Sequence, residues 1–134
     1  MPIDTKSTTN VAVITKPHSP SATGTITGTV VDTAGFRSNT FIISAGLQTS
    51  TDITVVPVVL SGTVTSSLAS AAADEIIGTE ADANLSGTAG AGSKTTIGYI
   101  GSDRYVRLDL IVLTASSGTY STQLMQRDAI KSPV

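Results

Sequence analysis

The stretch GYIGSDRYVRLDLIVL, Gly98 to Leu113, constrains the fold of this chain more than any other. From Tyr105 to Leu113 apolar and polar residues alternate. Val106, Leu108, Leu110 and Val112 therefore fall on one face, and Tyr105, Arg107 and Asp109 on the other, which is the pattern of a half-buried β-strand. Just before it, Gly101, Ser102 and Asp103 tolerate tight backbone, so Tyr99 and Ile100 are expected to close one strand before Arg104 opens the next. The spacing predicts a hairpin.

Other runs carry the same signature. ITGTVVDTAGF, NTFIISAGL and DITVVPVVL are rich in Thr, Val and Ile, whose branched side chains hold few rotamers and pack well on a pleated surface. In the second run Phe41, Ile43 and Ala45 share a face, with Gly46 placed to end the strand. The third, Ile53 to Leu60, is apolar on both faces, as expected of a strand covered on each side. Pro57 cannot donate to a ladder, which places this strand at an edge or a bulge and points to a subunit contact there. Near the end of the chain, Tyr120, Thr122 and Leu124 alternate with Ser121, Gln123 and Met125 in a last strand.

The remaining stretches read differently. Residues 1–28 are rich in Thr, Ser, Pro and Gly around one short apolar segment, Val11 to Ile14, and are expected to form an extended arm, either frayed or ordered by adding that segment to a sheet edge. Residues 29–134 then form one β domain, since 134 residues suffice for a single core. Between Ser61 and Lys94, Leu68, Ala72, Glu75, Ile76 and Thr79 could line one helical stripe, but small residues and Gly78 argue against a long helix. A short helix or a structured loop is expected there, followed by a flexible SGTAGAGSKTT connection. No unit repeats at a fixed period. The fold class is all-β, a small antiparallel sandwich or barrel of jelly-roll or immunoglobulin-like form with an extended N-terminal arm.

Residues that could carry chemistry are few. GTAGAGSKT, from Gly87, departs by one residue from the phosphate-loop spacing and lacks the strand before and helix after that such a loop needs. Asp74, Glu75, Glu80 and Asp82 form an acidic cluster without calcium-loop spacing, and read better as a solvated loop than as a metal site or paired glycosidase carboxylates. His18, the sole histidine, lies between two prolines in the arm, a poor place for preorganised catalysis. Without cysteine there is no disulfide, thiol chemistry or cysteine-ligated metal. No enzyme activity, cofactor or metal is expected. Arg37, Arg104 and Arg107 either pair with Asp32, Asp103 or Asp109 or reach across a subunit boundary.

Charge narrows the partners. Charged residues make up 13% of the chain, against a usual share of about 25%, so much of the surface must be Ser, Thr, Gly and Ala, which suits packing against protein. A net charge of −2 and few aromatic residues leave nothing to neutralise phosphates or stack on bases, so nucleic acid is not an expected partner. There is no signal-peptide pattern at the start and no apolar run near the ~20 residues that cross a bilayer, so the expectation is synthesis in the cytosol without membrane insertion.

Three phrases, DTAGFRSNTFIISAG (Asp32 to Gly46), IIGTEAD (Ile76 to Asp82) and IGYIGSDRYVRLDL (Ile97 to Leu110), together with the ending Pro133-Val134, resemble a family of small tailed-phage structural proteins encoded near the major capsid protein. The C-terminal strand departs from that family at MQRDAIKS. The resemblance implies a virion component, foremost a head decoration or cement protein whose partner is the major capsid protein and which assembles as a trimer. It places Val11, Ala12, Val13 and Ile14 of the arm on the capsid, and Val55, Pro57, Val59, Arg104 and Arg107 at the oligomer contact. The alternatives are a head-tail connector, tail or head-fibre base component, and a carbohydrate-binding attachment module. The last would need Tyr99, Tyr105 and Tyr120 clustered at the surface.

Overall fold

The computed structural model describes residues 9–18, 23–48, 54–86, 94–114 and 118–129. In chain order these form β1 (Asn10–His18), β2 (Gly24–Ile26), β3 (Val31–Asp32), β4 (Phe36–Gln48), β5 (Thr54–Val64), β6 (Ser67–Ser70), a 3-10 turn (Ala73–Glu75), β7 (Ile76–Ile77), β8 (Leu85–Ser86), β9 (Lys94–Tyr99), β10 (Tyr105–Thr114) and β11 (Gly118–Ala129). Two antiparallel sheets pack face to face as a sandwich. The first has the order β1-β11-β4-β9-β7; the second runs β2-β10-β5-β6, with β3 also pairing β10 and β8 also pairing β5.

Alternation along each strand decides what fills the space between the sheets. The first sheet sends in Phe41, Ile43, Ile97, Tyr99, Tyr120 and Leu124, and the second sends in Val55, Val59, Val106, Leu108, Leu110 and Val112, all essentially inaccessible to solvent. The β10 pattern therefore lies as its sequence requires. So does the inward face of Phe41, Ile43 and Ala45.

Where a hairpin was expected, the chain instead crosses the sandwich. β9 lies between β4 and β7 in the first sheet, whereas β10 lies beside β5 in the second. The apolar faces of β9 and β10 thus oppose each other across the core instead of sharing a sheet. At the crossing the Tyr99 ring occupies the space next to Gly101. A Cβ on Gly101 would overlap the Tyr99 hydroxyl and lie 2.5 Å from Cζ, so only glycine passes there.

Of the segment expected as an arm, the described residues 9–18 and 23–28 pack with the two sheets. β1 pairs antiparallel with β11, from Asn10 opposite Gln126 to His18 opposite Tyr120, and Ile14 is buried in the core with Ala12 packed against it. The sheet edge that this segment joins is the chain's own. β1 is an edge strand with two register irregularities, a position where Pro17 sacrifices no ladder bond that the sheet needs. β2 and β3, on either side of the expected boundary between residues 28 and 29, both run along β10.

Residues 61–94 contain no α-helix among the described positions. Leu68 sits in β6 and Ile76 in β7, because short ladders to β5 and β9 offer these residues burial that a small-residue helix without an apolar stripe does not. Pro57 resolves the ambiguity of β5. On the side away from β10, β8 covers Thr54 and Val55, β6 covers Leu60 to Val64, and among the described residues no strand passes Pro57. Two residues on, Val59 N–H donates to Glu80 Oε1 at 2.8 Å and Val59 C=O accepts from Ala71 N at 2.9 Å. A carboxylate and a loop amide therefore complete the ladder across the gap.

Candidate interaction surfaces

The motif-bearing segments meet at one end of the sandwich. Thr33 N donates to Arg104 C=O at 2.7 Å, and the Thr33 hydroxyl donates to the carbonyls of Arg104 and Asp103 at 2.9 and 3.1 Å. Ile100 N donates to Glu75 C=O at 2.8 Å, which fastens the turn before β7 to the end of β9. Asp103 accepts from Ser61 Oγ at 2.8 Å, while its own amide donates to the Tyr99 hydroxyl at 3.2 Å. Beneath this end, Gln126 is almost fully buried; its Nε2 donates to Asp32 C=O and Asn39 Oδ1, both at 3.0 Å, and its Oε1 accepts from Asn10 Nδ2 at 2.7 Å. Residues read only as strand or break positions are thus the polar ties of the molecule. Sequence reasoning singled out neither Asn39 nor Gln126, since nothing in the pattern of polar residues shows which of them point inward.

Arg104 donates from Nε and Nη2 to both oxygens of Asp32, with Nη2 2.9 Å from Oδ2, and its guanidinium lies 5.3 Å from the Tyr105 ring centre. That hydrogen bonding, joined by the Ala34 amide, holds the Asp32 carboxyl below its usual range. Burial pushes the Tyr99 and Tyr120 hydroxyls up from theirs. With Tyr99 and Tyr120 in the core, the three tyrosines make no surface cluster on which a sugar could stack.

The expected oligomer contact divides. Val55 and Val59 have no exposed surface and Pro57 is buried with them, so these side chains serve the core; the outward positions of β5 are Val56, Val58 and Leu60, all half-buried. Opposite them on β10 stand Ile111, Asp109 and Arg107. Arg107 Nη2 donates to Asp109 Oδ2 at 2.9 Å, and Asp109 Oδ1 also accepts from Gly28 N at 3.0 Å. Arg104 and Arg107 are thereby paired within the chain, Arg107 on the outer face of the second sheet and Arg104 just ahead of β10.

Of the expected capsid contacts, Ile14 is buried and Ala12 partly so, while Val11 and Val13 are more than half exposed on the outer face of the first sheet. One row of that face runs Val11, Met125, Thr40, Gly98 and Ile77 across all five strands. Of the residues on this face whose side chains are described, none carries a carboxylate. Lys16, Arg37, Lys94 and Arg127 all belong to first-sheet strands and have no ion-pair partner among the described residues.

The carboxylates whose side chains are described lie elsewhere: Asp32, Asp103 and Asp109 as above, and Asp74, Glu75, Glu80 and Asp82 in the connection from β6 to β8. Glu75 accepts from Ala72 N, Glu80 from Val59 N, and Asp82 from the Thr79 hydroxyl. These groups hold backbone and turn, and no three of them converge on a metal-binding geometry among the described residues. His18 stands in β1, and Lys94 opens β9. The rest of GTAGAGSKT up to Ser93 lies outside the described residues, as do Pro133 and Val134. No helix among the described residues is long and apolar enough to cross a membrane.

No protein-family model matches the chain, and no curated protein sequence matches it. Solved structures do share its fold. The PBSX exported protein XepA superposes over 99% of this chain and 41% of its own, with a TM-score of 0.62 and 14% identity. A structure of infectious bursal disease virus, Gx strain, superposes over 93% of this chain and 33% of its own, with a TM-score of 0.50 and 11% identity. A weaker likeness is to the cyanophage Pam1 capsid asymmetric unit, at a TM-score of 0.47 and 14% identity over 90% of this chain and 86% of that one. The chain thus spans about two fifths and one third of the first two structures it matches.

Proposed function

We propose that this protein is a structural component of a phage virion, and within that class a decoration protein that binds the outer capsid surface and bridges neighbouring capsomers. The observation that carries the reading is the convergence of the three resembling segments. Asp32 and Thr33 tie to Arg104 and Asp103, and Glu75, just before Ile76, ties to Ile100, so the likeness to tailed-phage proteins falls on one built unit and not on scattered peptides. A fold that recurs in a virus structure supports it.

On this reading the protein does no chemistry on a substrate. It acts mechanically: interface area that exists only on an assembled shell stabilises that shell by linkage, since it binds the lattice and not the free subunits. Val11 and Val13, on the outer face of the first sheet, are the part of the expected capsid contact that remains available for it. A trimer suits local threefold positions of such a lattice.

The test is the copy number in purified virions of the phage that encodes it, by quantitative mass spectrometry against the major capsid protein. Decoration requires about one copy per capsid subunit, or one trimer per threefold. About a dozen copies or fewer would move the protein to a portal, tail or vertex. Absence from virions would end the structural reading.

A further inference from the structure

The strand register divides the outer face of the first sheet into cross-strand rows, and the rows differ in kind. Along β4 they pass through Ser44, Ile42, Thr40 and Ser38, so the first and the last lie roughly 20 Å apart. Lys94 stands beside Ser44 in the first row, and Arg127 beside Ser38 in the last. Between them, the Ile42 row carries Val13 and the Thr40 row carries Val11, Met125 and Ile77. Val11, Val13 and Ile77 are each more than half exposed. Ile77 lies over the face and not beyond its edge, since a Cβ on Gly98 would stand 3.1 Å from Ile77 Cβ. An apolar centre is thus bounded by a cation on either side.

Charge decides what can cover it. Lys94 and Arg127 have no ion-pair partner among the described residues, and no outward residue of this face whose side chain is described carries a carboxylate. The chain as a whole has a net charge of −2, so this face is positive on an otherwise negative molecule. On the outer face of the second sheet, by contrast, Arg107 and Asp109 neutralise each other. Two copies laid together through the first sheet would crowd unpaired cations, which excludes a second copy as the occupant. A phosphate backbone calls for a continuous basic track, and here apolar rows interrupt it. An apolar centre with a charged rim is the anatomy of a protein contact. With β11 12 residues long and five strands side by side, the face measures roughly 40 Å by 19 Å, close to the ~800 Å² that each partner of a stable complex contributes.

We propose that the outer face of the first sheet docks on an acidic protein surface, whose apolar patch covers the Ile42 and Thr40 rows and whose carboxylates meet Lys94 and Arg127. The identity of that surface rests on the function proposed above: it belongs to the outside of the assembled capsid. The second sheet then faces away from the shell.

Cosedimentation of the purified full-length chain with heads of the encoding phage assembled without it, at low and high salt, tests this. The wild-type chain should bind, and more weakly as salt rises, because charge pairs at the rim are screened. Lys94→Glu and Arg127→Glu should each weaken binding by about tenfold or more, whereas Lys94→Arg and Arg127→Lys should retain it. Val11→Asp should weaken it as well, and Leu113→Asp, on the outer face of the second sheet, should leave it unchanged. All four positions are exposed, so these variants keep the fold. Binding that neither charge reversal weakens, or that Leu113→Asp abolishes, overturns the proposal and leaves decoration standing. A wild-type chain that does not bind heads ends the decoration reading, and this proposal with it. Binding to duplex DNA or to phosphatidylserine vesicles as tight as to heads, and lost in Lys94→Glu, overturns the proposal in favour of a phosphate-bearing partner.

Discussion

The two sheets reach similar burial by different means. In the first, β11 pairs with β4 from Gly118 opposite Gln48 to Ala129 opposite Phe36, and β1 and β9 extend this ladder on either side. In the second, only β5 and β10 form a long pair, and each is flanked on its far side by two short strands with a gap between them. A carboxylate stands in each gap: Glu80 takes the Val59 amide beside β5, and Asp109 takes the Gly28 amide beside β10. Backbone pairs with backbone in one sheet, whereas in the other two side chains finish the accounting of amide protons. The first sheet should therefore depend on strand length and the second on individual residues.

Gly28→Ala should break the second sheet most severely. A Cβ there would overlap the Leu108 carbonyl and lie 2.6 Å from Ile14 Cγ2. We expect destabilisation by about 3 kcal/mol in urea unfolding, as the backbone shifts and the Gly28 amide is pulled away from Asp109. Glu80→Ala should follow at about 2 kcal/mol, because it leaves the Val59 amide beside Pro57 without an acceptor, and Glu80→Gln should recover part of that stability. The first sheet offers the opposite sign. Thr122 and Thr15 face each other across β11 and β1 with buried hydroxyls that have no partner, so Thr122→Val should raise stability by about 1 kcal/mol. A drop in stability on that substitution would show that the hydroxyl has a role the ladder conceals.

The smallest effect sharpens the comparison at the surface. Arg104 holds the Asp32 carboxyl below its usual value of 3.8, so the pair's contribution is present above that unfolded value and lost as pH falls through the lower folded one. Both groups are exposed, and Arg104→Met should change little at neutral pH. Its only signature should be a shallower decline of the unfolding midpoint as pH falls below the unfolded value of 3.8.

Strand existence was legible because Val106 to Val112 and Phe41 to Ala45 follow the pleat with period two. Partnership was not. Gly101-Ser102-Asp103 suits a hairpin as well as a crossing, and the choice lies in the Tyr99 ring that fills the space beside Gly101, a proximity that no spacing displays. The Thr/Ser/Pro composition of residues 1–28 concealed β1 in the same way, since Val11 to Ile14 gains its stability from β11, far away in sequence. For the surfaces, Pro57 announced an exceptional strand, but the pleat puts Pro57, Val55 and Val59 inside and Val56, Val58 and Leu60 outside. Arg104 and Arg107 found aspartates already among those considered, Asp32 and Asp109. The buried amides of Asn39 and Gln126 carry no sequence signal that separates them from polar residues on an outer face.

The bond from Asn10 to Gln126 spans 116 positions of sequence, and the whole β1–β11 ladder shares that remoteness. During synthesis, β1 emerges long before its partner β11, so its closure waits on the strands between them and belongs to a late step of a slow, high-contact-order route. Throughout that wait two strand edges of the nascent chain, those of β1 and later of β11, stand open. Neighbouring nascent chains bearing the same edges are then its natural competitors, so lower temperature and added chaperone should raise the folded yield.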